Sequence, residues 1–198
     1  ICMKYFLSFF FLLILRISYT NHTGNKSFFV TKIFNIRQFK LLQHELCCDI
    51  NDDNSEFVNC QIGWNGKMDV TTDEQEKHQN FCVSECVYNK TEYLGKDQKS
   101  LRMNIIKYRL NEFLGDEVAE QQLYDTYEKC AIHARDMLEY DAVKKLETKL
   151  STYNCHPYSG LVLECVMNQM ILNCPPTKFH KTAQCEEARE YLKACLKK

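Results

Sequence analysis

Six glycines, three prolines and a single tryptophan, Trp64, are all that 198 residues contain of these types. So few chain-breakers argue against a long flexible linker. Charge of one sign is missing too, since 25 Lys and Arg stand against 26 Asp and Glu. With no basic cluster either, the sequence does not fit a nucleic-acid binder, which needs a positive face. Catalytic signatures are absent as well. There is no G-x-S-x-G elbow and no H-E-x-x-H, and Cys47-Cys48-Asp49 lacks the following His-Asp of a secreted phospholipase. His22, His44, His78, His133, His156 and His180 fall in no motif, so no catalytic residue is assigned and the chain reads as a non-enzyme without a cofactor. His133, near Cys130, reads as a surface or half-buried residue, with a pH switch as its functional alternative. Paired CxxC knuckles are missing. Cys82-x3-Cys86 and Cys155-His156 come nearest to a zinc site, and no metal site is assigned.

What is present begins with a leader. Met3 and Lys4 are followed by a run over 5–15 that is apolar but for Ser8 and that Arg16 ends. That length fits a signal-peptide core and is too short to span a bilayer. Ser18 and Thr20 occupy small-residue positions before a cut ahead of Asn21. Ile1 and Cys2 precede the first Met and read as upstream of the translated start. The expected division is a removed signal peptide over 1–20 and one domain over 21–198. Taking Lys4 and Arg16 from the 25 basic residues leaves 23 against 26 acidic ones, a formal charge of −3. Asn21, Asn25 and Asn89 each start a glycosylation sequon, in keeping with secretion.

Cysteine dominates the composition, with 12 in all. The mature chain keeps Cys47, Cys48, Cys60, Cys82, Cys86, Cys130, Cys155, Cys165, Cys174, Cys185 and Cys195. In an extracellular chain that density reads as disulfides. An odd count leaves one thiol over. Adjacent Cys47 and Cys48 are poorly placed to bond each other, which makes one of them the natural odd member.

Helical periodicity runs through most of the chain. Residues 21–46 fit no period cleanly and read as extended, then as a short helix over 37–46. Residues 49–72 are polar and read as loop with a short helix at most. Thr72-Asp73 caps a helix over 74–88 with Phe81, Val83 and Cys86 inward. Ser100 opens a second helix, which Gly115 stops, and Asp116 caps a third that carries Val118, Leu123, Tyr127, Cys130, Ala134 and Leu138. A shorter helix spans 140–150. Leu163, Val166, Met167, Met170 and Ile171 form the cleanest apolar stripe, ended by Pro175-Pro176, and Thr182 caps a last helix. Nine residues turn a helix through roughly 900°, so Cys165 and Cys174 face opposite ways and grip two different segments.

Cys60, Cys82-x3-Cys86, Cys130 and Cys165-x8-Cys174 resemble the six-cysteine pattern of insect odorant-binding proteins. The extra cysteines at both ends, Cys174-Pro175, Cys155-x9-Cys165 and Cys185-x9-Cys195 are similar to its Plus-C subgroup. The resemblance covers 47–195. It implies an all-α, compact bundle of about six to eight helices interlocked around an apolar cavity, with an amino-terminal extension over 21–59 and a helical carboxy-terminal extension over 175–198. It also implies the pairs Cys60–Cys86, Cys82–Cys165 and Cys130–Cys174, and leaves Cys47, Cys48, Cys155, Cys185 and Cys195 unassigned.

The same resemblance implies a secreted carrier that binds a small apolar ligand, an odorant or pheromone, as a monomer or weak homodimer in extracellular fluid, with a membrane receptor as a further partner. Candidate ligand-binding residues are Ile106, Leu110, Phe113, Leu114, Leu123, Tyr127, Met167, Met170 and Ile171, which share the converging apolar stripes. Flexible thioethers suit a tolerant pocket. A secreted interaction protein acting through its surface is the competing reading. The apolar segment 28–42, free to dock on a partner, supports it.

Overall fold

The computed structural model describes residues 47–48 and 55–196. The leader, the helix expected over 37–46, the sequons at Asn21 and Asn25, and the Cys195 side chain lie outside the described residues.

Seven α-helices stand among the described residues: α1 Ser55–Asn65, α2 Asp73–Lys90, α3 Met103–Leu114, α4 Glu117–Met137, α5 Asp141–Leu150, α6 Tyr158–Asn173 and α7 Ala183–Leu196. A 3-10 turn, Ser151–Tyr153, follows α5. The expected all-α bundle is what forms. Extended pairing among the described residues is limited to isolated bridges, Cys48 with Phe179 and Leu94 with Leu101.

Helix ends follow local chemistry. The Thr72 hydroxyl accepts from the Gln75 N–H at 3.2 Å, and the Gln75 side chain accepts from the Thr72 N–H at 3.0 Å, which closes a capping box on α2. Asp116 accepts from the Val118 and Ala119 N–H groups at the start of α4. Gly115, at φ 57°, ends α3 in the left-handed region that glycine enters without penalty. The Thr182 hydroxyl accepts from the Cys185 N–H at the head of α7.

Two helix starts differ from expectation. Ser100 does not open α3. Its hydroxyl donates to Asp97 at 2.7 Å inside a loop closed by Gly95 N–H to Ser100 O, and α3 begins at Met103 with no side-chain cap. Residues 55–65, expected as loop with a short helix at most, form the 11-residue α1. Its one buried residue is Cys60, while Val58 and Ile62 are 50% and 65% exposed. No apolar stripe betrays this helix because it is anchored on α2 through the Cys60–Cys86 bond, the Gln61–Gln79 hydrogen bond and the Glu56–Lys90 ion pair, with Trp64 as its one aromatic contact to the main cluster.

α6 is the axle of the molecule. It packs on α2, α4 and α7, while α3 lies on α4, and α1 and α5 lie on α2. A helix touched on several sides must be apolar nearly all round, and its buried residues, Tyr158, Leu161, Val162, Val166, Met170 and Ile171 among them, fit that demand. Gly160 brings α2 close, since a Cβ there would lie 2.8 Å from Cε1 of Phe81 and nearer still to Cδ1.

The disulfides correct the implied pairing. Cys60–Cys86 stands as expected, but Cys82 joins Cys155 instead of Cys165, and Cys130 joins Cys165 instead of Cys174. Position along α6 accounts for the shift. Cys155 lies three residues before the helix and is buried where α2 passes, whereas Cys165 is about 10 Å along the helix from its first residue, where α4 crosses. Cys165 and Cys174 do grip different segments. Cys174, past the end of α6, bonds Cys48, and Cys47 bonds Cys185 of α7. Neither member of the Cys47-Cys48 doublet is therefore the odd cysteine. Both are buried, with the His180 N–H donating to Cys47 O at 3.0 Å, in a second apolar cluster with Ile171, Cys174, Phe179 and Cys185. Arg189 locks this end by donating to the carbonyls of Ile171 and Cys174 while its guanidinium stacks 3.4 Å from the Phe179 ring centre.

Candidate ligand-binding interior

The main apolar cluster lies where α2, α4 and α6 meet and contains Phe81, Tyr88, Leu94, Ala134, Leu138, Tyr158, Val162, Val166 and Met170, with Tyr93, Leu101, Leu123 and Tyr127 packed against it. Of the nine candidate residues, Leu123, Tyr127 and Met170 come together here. Ile106 and Leu110 are buried on the inner face of α3, and Leu114 and Met167 are half-buried. Ile171, next to Met170 in sequence, points about 100° away and belongs to the second cluster. Phe113, in the last turn of α3 beside Gly115, is 42% exposed, and Val118 just beyond it is 77% exposed, so this hairpin tip stands out from the interior.

Sequence periodicity missed the tyrosines that give the interior its polarity. Tyr88 follows Phe81 by seven residues on α2, two helical turns along the same face, a spacing that could have revealed it. Its ring meets Tyr93 edge-on at 5.8 Å, and Tyr93 meets Tyr127 edge-on at 6.0 Å. The buried Tyr88 hydroxyl lies near Tyr127 without a well-formed hydrogen bond, and burial, followed by the neighbouring phenols, pushes its pKa well above the ordinary value. Tyr158 sits on the first turn of α6, fully buried, with its hydroxyl 3.5 Å from Ala131 O and its pKa pushed up by burial to about 12. Both phenols stay neutral at any physiological pH. The interior is thus mostly apolar, with a few neutral hydroxyls.

Charge is kept to the edges. Lys77 of α2 and Glu164 of α6 act on each other across the helix contact, with burial lowering the Lys77 pKa and raising that of Glu164. Two surface grooves are polar. One, of about 450 Å³, is lined by Asn65, Lys67, Met68, Asp69 and Gln79. The other, of about 410 Å³, lies along the Cys82–Cys155 seam. None of the nine candidates lines either groove. His133 is exposed on α4, and Asn89 is exposed at the end of α2.

The model of the AgamOBP47-like family, a group of insect odorant-binding proteins, matches residues 50–191. The chain belongs to this family. The match takes in all five helices from α2 to α6, the whole of α1 and most of α7. No curated protein and no solved structure matches the chain. AgamOBP47-like membership fits a small ligand-binding carrier and not a family of enzymes. No helix among the described residues is long and apolar enough to cross a membrane.

Proposed function

We propose that this AgamOBP47-like chain is a secreted carrier that takes up small hydrophobic molecules such as odorants or pheromones and moves them through extracellular fluid. The family match over 50–191 carries the reading. The cluster between α2, α4 and α6 supports it, because its flexible Met170 can shift beside Leu123 to admit a ligand while disulfides hold the helices in place. In this reading the signal peptide over 1–20 is removed and Asn89 carries a glycan. The chain works as a monomer or weak dimer, and its extra cysteines place it in the Plus-C subgroup. Ile106, Leu110, Leu114, Leu123, Tyr127, Met167 and Met170 contribute to the ligand surface, with Phe113 at its outer edge and Ile171 behind it.

The test is saturable binding of an apolar fluorescent dye to the oxidised protein, followed by displacement with a panel of volatile alcohols, aldehydes and esters. Displacement at about one ligand per chain supports the carrier. Failure of every hydrophobic compound to bind or displace would favour an interaction protein acting through its surface.

A further inference from the structure

The groove along the Cys82–Cys155 seam has a composition that the apolar carrier reading does not use. Its walls come from α2, which supplies Glu85 and Asn89, from the loop before α3, which supplies Gln98, and from the turn into α6, which supplies Ser151, Asn154 and His156. Its volume of about 410 Å³ falls within the range of small-molecule sites, about 300 to 1,000 Å³.

Glu85 is the unusual group. Other carboxylates with a neighbouring cation include Glu74 with Lys149 and His78, Glu147 with His156, and Glu164 with Lys77. Among the described residues no side-chain cation stands against Glu85. One of its oxygens accepts the His156 N–H at 3.2 Å, and burial holds its pKa above the ordinary carboxylate range. Gln98 Oε1, also buried, has no hydrogen-bond partner. His156 Nδ1 accepts the Tyr158 N–H, and its Nε2, 3.0 Å from Glu147 but without hydrogen-bond geometry, is turned to a carboxylate, which disfavours an anion there. Lys99 acts on His156, whereas no cation acts on Glu85. The groove therefore presents one half-buried negative charge without a counter-ion and one amide oxygen without a partner.

Two alternatives to an organic ammonium fit poorly. The described residues contain no group of three His, Cys, Asp or Glu able to hold a metal ion. A guanidinium prefers a two-oxygen grip on its carboxylate, and one Glu85 oxygen is taken by the His156 N–H. An ammonium, a compact charge with N–H groups pointing in several directions, can use the remaining oxygen, and a rotation of the Gln98 side chain would turn its buried, unpartnered Oε1 to a second N–H. We propose that this groove is a second ligand site, for a small molecule carrying a primary ammonium, with Glu85 as its counter-ion and Gln98 as its second acceptor. The site is independent of the apolar interior.

The test is calorimetric titration of the oxidised full chain with tyramine and with its neutral alcohol counterpart, tyrosol. Both are run on the parent and on Asn89→Gln, which cannot be glycosylated at the groove's rim. Saturable one-to-one tyramine binding in either form, with tyrosol at least about tenfold weaker, is expected from a charge-assisted hydrogen bond. Glu85→Gln should weaken tyramine about tenfold and leave binding of the apolar dye unchanged, and Gln98→Ala should weaken it less. The proposal is overturned by equal affinity for tyramine and tyrosol, by unchanged binding in Glu85→Gln, by no binding up to about 10 mM, or by tyramine displacing the apolar dye. The parent comparison needs no variant to fold. Failure of dye binding alone would count against the carrier and not against this site.

Discussion

Replacing Gly160 by Ala probes the crossing on which the fold turns. On an exposed helix position the change stabilises by about 1 kcal/mol, because alanine loses less backbone freedom on folding. At Gly160 the new methyl would sit 2.8 Å from Cε1 and 2.9 Å from Cγ of Phe81, about 1 Å inside normal carbon–carbon contact, and closer still to Cδ1. Phe81 is 5% exposed, packed in the main cluster, with the Lys77 ammonium 5.9 Å from its ring centre, so it has little room to give. Overpacking of this kind costs about 1 to 3 kcal/mol. The clash therefore outweighs the propensity gain, and Gly160→Ala should lose about 1 to 2 kcal/mol. Gly63→Ala on α1, where a Cβ meets nothing within 4 Å, is the internal control and should hold or gain stability. Urea unfolding followed by far-UV circular dichroism on the oxidised proteins reads both. Adding Phe81→Leu to Gly160→Ala should recover part of the loss beyond the sum of the single changes. A Gly160→Ala protein as stable as Gly63→Ala would refute the close α2–α6 approach.

Further outcomes follow from other parts of the fold. Peptide mapping without reduction should link Cys82 to Cys155 and Cys130 to Cys165, and a Cys82→Ser/Cys155→Ser variant, which opens a separation of 73 residues, should lose about 4 kcal/mol. A loss below about 1 kcal/mol would contradict it. Thr72→Ala removes the capping box of α2 and should cost about 1 kcal/mol in the same urea assay, and no change would show the cap to be idle. Burial lowers the His78 pKa, so the unfolded chain takes up a proton near about pH 6.5 that the folded chain refuses, and stability from this group is lost as pH falls through that value. His78→Gln should therefore lose less stability than the parent between about pH 7.5 and 5.5, and parallel slopes would exclude His78 as the cause.

Much of the helical order was legible because caps and stops are written in single residues. Thr72, Gly115, Asp116, Thr182 and Pro175-Pro176 mark real boundaries, and the Leu163 to Ile171 stripe marks the axle. α1 was not legible, because a helix held by a disulfide, polar bonds and a single aromatic needs no apolar stripe. Disulfide partners were not legible either. Intervals report which way a cysteine faces on its own helix, but the partner depends on which neighbour crosses at that height, and Cys155 and Cys165 occupy different heights along α6. The interior was half legible. Stripe positions such as Leu123 and Met170 converge, and Tyr88 is marked only by its spacing from Phe81, whereas Tyr158, beside the chain-breaking Pro157, is drawn inward by tertiary packing that periodicity does not record.

The central claim is that a small apolar ligand is held between α2, α4 and α6. Labelling the methionine methyls with carbon-13 and titrating the oxidised protein with an aromatic apolar ligand tests it directly by NMR, because ring currents move only nearby methyls. Met170, buried in the main cluster, and half-buried Met167 on the same helix should shift together and saturate at one ligand per chain. Saturable binding that leaves Met167 and Met170 unmoved would contradict the account.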